Sequence, residues 1–73
     1  MTIKPEIISF AFTAEDLEEA LQAAVEHLRG VVDGDEGLRG FVVPELTQEA
    51  FEVQGGQWKR VFRFRAELLP VRR

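Results

Sequence analysis

The side chains of this sequence that could do acid–base or nucleophilic chemistry are few and isolated. His27 is the one histidine, Ser9 is the one serine, and there is no cysteine. Acid–base catalysis needs a second group aimed at the histidine, and a serine nucleophile typically stands on a G-x-S-x-G turn, whereas Ser9 lies in a predicted strand. A zinc site with one histidine would need several carboxylates as further ligands. We therefore predict no enzyme activity, no catalytic or metal residues and no cofactor.

The spacing Asp33-x-Asp35 is similar to the start of a calcium-binding loop. In such a loop, oxygen ligands also occupy the fifth and twelfth positions, and glycine occupies the sixth. These positions hold Gly37, Pro44 and Leu38 in this sequence. The segment from Asp33 to Gly37 is therefore interpreted as a solvated turn.

The charges of the chain are unevenly distributed. Residues 1–56 carry 12 of the 13 carboxylates and three cations, a net charge of −9, and residues 57–73 carry six cations and one carboxylate, a net charge of +5. Opposite fields attract protein partners or second copies of a chain. The candidate interaction residues are on the predicted helix and the last predicted strand: Glu15, Glu18, Glu19, Glu26, Lys59, Val61, Arg63 and Arg65.

Apolar periodicity predicts a strand followed by a helix. Residues 7–12 alternate as a strand does, and Thr13 is the predicted N-cap of a helix over about 14–29 that ends at Arg29-Gly30. The helix should turn a stripe toward the core and its acids toward solvent. The stripe contains Leu17, Leu21, Ala24 and Leu28, flanked by Ala20 and Val25.

The second half of the chain predicts strands joined by a hairpin. A strand from about Leu38 to Val43 is interrupted by Pro44 and resumes over 48–53. Gly55-Gly56 predicts a type I′ turn, which would place Val53 opposite Trp58 and Glu52 opposite Lys59. In the last strand, one side should face the helix and the opposite side should carry Lys59, Val61, Arg63, Arg65 and Glu67. The helix-facing set is Trp58, Phe62, Phe64, Ala66 and Leu68, with Arg60 extending toward an edge.

These elements predict a single α+β domain over residues 1–73, of order β-α-β-β with the middle strand divided at Pro44. A lone helix covers one face of the sheet, and a chain this short without cysteine has limited means of stabilising its fold. We therefore expect self-association, as a homodimer or larger homo-oligomer, through the uncovered face, with Val61 as its central residue. The rival interpretation is a monomer that uses the same face for a foreign protein.

The last strand also offers an alternative partner, because Trp58, Phe62 and Phe64 alternate with cations as in some RNA-binding sheets. The rings and most cations should point to opposite faces, and the chain is acidic with a pI of about 4.9. Nucleic acid is therefore the weaker alternative. Residues 1–12 resemble neither a signal peptide nor a membrane span, so we expect a cytoplasmic protein without a membrane partner.

The element order resembles that of dodecins over most of the chain, on the segments Phe12–Ala20 and Gly56–Val61. Dodecins are small flavin-storing proteins that form hollow dodecamers, so the resemblance implies a flavin-storing oligomer as an alternative function. Dodecins place a flavin-stacking tryptophan on the strand after the helix, whereas the one tryptophan here is Trp58 in the last strand. No flavin-site residue is transferred from the family. The main prediction is an inhibitor or adaptor of bacterial or phage type that binds a macromolecule or itself.

Overall fold

The computed structural model describes residues 6–71 and contains one helix and four strands. In chain order the elements are β1 Glu6–Thr13, α1 Leu17–Asp33, β2 Leu38–Phe41, β3 Glu45–Gln54 and β4 Gln57–Pro70. This is the predicted α+β arrangement, with one helix on an antiparallel sheet.

The long strand β4 is the centre of the sheet. β1 pairs along one side of it, from Glu6 opposite Leu68 to Thr13 opposite Val61. β2 and β3 follow each other along the other side, and Pro44 lies in the short gap between them. Because proline has no N–H to donate, it divides this edge into two strands, as predicted.

The β3–β4 hairpin has the predicted register. Val53 is opposite Trp58 and Glu52 is opposite Lys59. Gly55 and Gly56 have φ values of 58° and 78°. Positive φ at both positions is what a type I′ turn requires, and glycine adopts it without strain.

Apolar side chains of β4 form the core beneath α1. Phe62, Phe64, Ala66 and Leu68 are buried, as predicted. Phe62 and Phe64 pack with Ala20 and Ala24 of the helix, and Phe10 and Phe12 of β1 join them. A second cluster joins Leu28 to the far end of β4, with Ala66 and Leu68 at its centre.

The helix begins three residues later than predicted. Its N-cap is Asp16, whose carboxylate accepts a hydrogen bond from the Glu19 backbone N–H at 2.8 Å. Thr13 is still paired with Val61, and the Ala14 N–H donates to the Arg60 carbonyl at 3.2 Å. The prediction of Thr13 as N-cap was wrong because the β1–β4 ladder holds this segment extended.

The helix also ends later than predicted. It continues through Gly30 to Asp33, and Gly34 is its C-cap. Val31 and Val32 pack against the cluster around Leu28. This packing stabilises the last turn, so the prediction of an end at Arg29-Gly30 was wrong.

Leu17 and Leu21 are less buried than the sequence stripe predicted. Leu28 is fully buried, but Leu17 is 43% exposed and Leu21 is 36% exposed. The small residues Ala20 and Ala24 make the contact with the phenylalanines instead. On the same side of the sheet, β3 offers Glu49 opposite Phe62 rather than an apolar residue. Next to Phe62, β3 therefore presents a carboxylate to the helix side, and its apolar residues Phe51 and Val53 lie nearer to the hairpin turn.

The helix is shorter than the sheet on which it packs. Seventeen helical residues span about 26 Å, and the fourteen residues of β4 span about 46 Å, close to the longest dimension of the molecule, 48 Å. The hairpin end of the sheet therefore extends beyond the start of α1. Trp58 lies on the helix-facing side, as predicted, but it is 72% exposed because the helix does not reach it.

Candidate interaction surface

Three large apolar side chains lie exposed on the projecting end of the hairpin. Phe51 is 65% exposed, Val53 is 59% exposed and Trp58 is 72% exposed. Phe51 is opposite Arg60 and Val53 is opposite Trp58, so all three share the helix-facing side of the sheet. We call these three residues the hairpin surface. Clustered apolar exposure of this kind is typical of protein-binding sites.

A groove separates the hairpin surface from the start of the helix. Phe51 and Trp58 line one wall, and Glu15 and Glu19 line the other. The structure thus brings two predicted acidic residues next to exposed aromatic rings. Lys59, a third predicted residue, also borders this groove.

Arg60 also lines the groove. Its guanidinium donates a hydrogen bond to the Glu15 carbonyl oxygen at 3.0 Å and is ion-paired with Glu49. It also lies 5.2 Å from the centre of the Phe62 ring. These contacts neutralise the cation and connect the hairpin to Glu15, just before the N-cap Asp16.

The opposite face of the sheet, which we call the open face, carries ion pairs between neighbouring strands. Arg63 is paired with Glu52 and donates to the Gln48 side-chain oxygen at 3.0 Å. Arg65 is paired with Glu45 at 3.1 Å. The hydrogen bond from Arg63 lowers the pKa of the Glu52 carboxyl, and the same contact raises the pKa of Arg63. The predicted basic strand is therefore largely neutralised by its own neighbours.

Val61 lies on the open face but is only 3% exposed. It is opposite Thr13 on one side and Ala50 on the other, and Lys59 and Arg63 flank it along β4. In the isolated chain this side chain is not available to a partner. The prediction of self-association itself stays a prediction.

The remaining predicted residues lie on a separate part of the helix. Glu18 and Glu26 border a shallow groove that also contains Leu21 and Val25. This groove shares no lining residue with the groove beside the hairpin surface. The eight predicted interaction residues are therefore distributed over three surfaces.

The chemistry-bearing residues have structural roles in the described part of the chain. His27 packs against Phe10 in a tilted arrangement and against Phe12 edge to face, with ring centres 5.2 and 5.8 Å apart. The Asp35 carboxylate accepts the Gly37 N–H at 2.8 Å, which makes the expected turn. Residues 6–71 contain no cluster of three potential metal ligands, and α1 is not long and apolar enough to cross a membrane.

Sequence reasoning missed the hairpin surface as a site. The sequence pattern predicts a strand for Phe51 and Val53 and a core position for Trp58. A signal was present, because the predicted helix has fewer residues than are needed to cover a hairpin that extends to Gly55-Gly56. Comparison of the two lengths would have placed Trp58 beyond the helix.

Comparisons with protein-family models, with curated proteins and with solved structures found no match to this chain.

Proposed function

We propose that this protein is a non-enzymatic interaction module of the inhibitor or adaptor type that acts in the cytoplasm and binds a partner protein through the hairpin surface. The observation that carries the proposal is the exposure of Phe51, Val53 and Trp58 on one side of a projecting hairpin. Tryptophan in particular is enriched among the residues that dominate binding energy at protein interfaces. Fully burying a large apolar side chain is worth about 1.5–3 kcal/mol.

The groove defines the chemistry of the partner. Glu15 and Glu19 face the aromatic rings across it, and the nearby Arg60 is already paired with Glu49. A partner that places an apolar side chain between the rings and a basic side chain near the two glutamates would complement both walls. The same carboxylates would repel a phosphate backbone, which favours protein over nucleic acid as the partner.

The test compares two exposed apolar positions on different parts of the sheet. Trp58→Ser removes the centre of the hairpin surface, and Val43→Ser is the control, since Val43 is 73% exposed but lies outside the groove. Proteins from the source cells that the unmodified chain retains would be identified, purified and titrated against each variant. Trp58→Ser should weaken binding by at least about 30-fold, the effect of a residue that contributes about 2 kcal/mol. Val43→Ser should change it less than about twofold.

Equal affinities of the unmodified chain and Trp58→Ser for every retained protein would contradict the proposal. A flavin titration tests the alternative of a flavin-storing protein, because stacking on Trp58 would quench the fluorescence of both groups. Saturable quenching that Phe51→Ser weakens would favour that alternative. A partner protein that protects Trp58 from quenching by iodide would support the interaction module.

A further inference from the structure

The outer edge of β1 is unprotected against strand pairing. Among residues 6–71, β1 is paired with β4 alone. All eight of its residues pair with β4 one for one, with no bulge, and no charge occurs between Ile7 and Thr13. Natural edge strands normally carry lysine, proline, a bulge or another charge that prevents pairing.

The other edge of the sheet has these protective features. β2 has a register shift between Leu38 and Gly40, and β3 has one between Leu46 and Gln48. Pro44 lies between the two strands, and three glutamates occur along β3. The molecule therefore has one edge that resists pairing and one that permits it.

Two hydrogen bonds define which backbone groups β1 presents at its edge. The Ala14 N–H donates to Arg60, its opposite residue, which makes the even-numbered residues of β1 the hydrogen-bonded pairs with β4. On β4, the Glu67 carbonyl accepts from Val42 of the opposite edge, which agrees with this alternation. The odd-numbered residues of β1 therefore direct their N–H and C=O groups outward. They are Ile7, Ser9, Ala11 and Thr13.

We propose that two copies of this chain dimerise by antiparallel pairing of their β1 strands about a two-fold axis. Only the backbone N–H and C=O groups that point outward from β1 can bond to the partner's β1, so odd-numbered residues of one copy must pair with odd-numbered residues of the other. The register that places Phe10 opposite the partner's Phe10 pairs Ser9 with Ala11 and Ile7 with Thr13, each in both directions. Four such pairs make about eight backbone hydrogen bonds, two per pair. The adjacent register, which is centred on Ser9, pairs the odd-numbered residues of the range 7–11 alone. It makes about six backbone hydrogen bonds.

The side chains also suit this register. On the helix-facing side, Phe10 would meet Phe10 of the partner subunit, and Ile8 would meet the partner's Phe12. All three are partly exposed in the single chain, and aromatic and β-branched pairs stabilise neighbouring strands. The open face would bring together the small residues Ser9 and Ala11, so no like charges would be opposed.

This pairing closes on itself. A two-fold contact uses β1 of both copies, whereas pairing β1 with the other edge would leave free edges and extend into a fibre. The shifts and glutamates along β2 and β3 oppose that second arrangement, which makes a dimer the favoured product. The proposal does not depend on the function of the hairpin surface, because Trp58 lies next to the hairpin turn, outside the stretch of β4 from Val61 to Leu68 that pairs with β1, and not on the outer edge of β1.

Disulfide trapping tests the register, since the chain has no cysteine of its own. Ser9→Cys and Ala11→Cys chains would be mixed in equal amounts under mild oxidation. In the proposed register the introduced cysteine of one variant lies directly opposite that of the other. Their Cα atoms are about 5.5 Å apart, which is within the range for a disulfide. Two copies of the same variant would place their thiols on a diagonal, about 7–8 Å apart. The mixed disulfide should therefore exceed both homodisulfides by at least about fivefold, and Val43→Cys reports random collision.

A charge variant provides the second test. Ala11 is exposed and opposite Arg63, so Ala11→Glu is compatible with the monomer. In the dimer it places two carboxylates on a diagonal of the same face, about 7–8 Å apart between Cα atoms, where like charges repel. Ala11→Gln is the matched uncharged control. Light scattering at roughly 100 μM should find a dimer for the unmodified chain and for Ala11→Gln, with the dissociation constant of Ala11→Glu raised at least about tenfold. A monomeric unmodified chain, or homodisulfides as abundant as the mixed one, would overturn the proposal.

Discussion

Replacement of Leu28 by alanine should destabilise this protein far more than the same replacement at Leu21. The two residues lie on similar sides of α1, seven positions apart, but Leu28 is fully buried and Leu21 is 36% exposed. Leu28 contributes to a core cluster with Ala66 and Leu68. Leu21 borders a shallow surface groove. The same chemical change thus tests two environments.

The expected losses follow from burial. Leu→Ala removes the equivalent of three methylene groups, about 2.4 kcal/mol when fully buried. At Leu28 the sealed cavity adds to this, so we expect about 3–4 kcal/mol, within the range known for leucine truncation. Leu21 is about two thirds buried and leaves no sealed cavity, which gives about 1.5 kcal/mol. A domain of this length has about 4–11 kcal/mol of total stability.

Urea denaturation followed by circular dichroism is the appropriate measurement. Fluorescence is a poor reporter because Trp58 is already 72% exposed in the folded chain. With a slope of about 1 kcal/mol per molar urea, Leu21→Ala should lower the midpoint by about 1.5 M and Leu28→Ala by about 3–4 M. Both variants must be compared at one protein concentration, because the proposed pairing of β1 strands would also contribute to stability.

Leu17→Ala serves as the control, since Leu17 is 43% exposed and should behave as Leu21 does. Equal losses at Leu21 and Leu28 would refute the reasoning. They would mean that α1 is packed through the continuous leucine stripe of the sequence, and not through Ala20 and Ala24 over its first half.

Three further results are expected. Gly30→Ala should raise the free energy of unfolding by about 0.5–1 kcal/mol in urea, because Gly30 lies inside α1 with nothing within 4 Å of the added Cβ; a loss would mean that the helix does not continue past this residue. Asp16→Ala should lower the free energy of unfolding by about 1 kcal/mol and reduce the helical circular dichroism signal, whereas Thr13→Ala should have a smaller effect. Glu52→Gln should flatten the acid side of the stability profile: Arg63 lowers the folded-state pKa of Glu52, so its stabilisation is present above about pH 4.5 and is lost as the pH falls through the folded-state pKa. An acid limb identical to that of the unmodified chain would argue against the Arg63 pair.

The local elements of this fold could be predicted from the sequence because their signals are local. Alternation predicts β1 and the helix-facing side of β4, and Gly55-Gly56 predicts the turn that determines the β3–β4 register. Pro44 predicts the break between β2 and β3. Each of these features depends on neighbours within a few residues, or on a strand period of two.

The ends of the helix and the candidate site depended on tertiary contacts. Thr13 has the chemistry of an N-cap, but its backbone is paired with Val61 in the β1–β4 ladder. Val31 and Val32 remain helical because they are packed beside Leu28. An N-cap residue or a glycine changes helix stability by about 1 kcal/mol. The packing of Val31 and Val32 contributes more than this amount.

The sequence alone determined the α+β class, the strand register of the hairpin and the set of aromatic residues available for a core. Only the tertiary structure decided which of them the core uses. Phe62 and Trp58 share one side of β4, yet the first is buried and the second is 72% exposed. The physical reason is length: the rise per residue of a helix is less than half that of a strand, so α1 covers one part of the sheet and leaves the hairpin surface exposed.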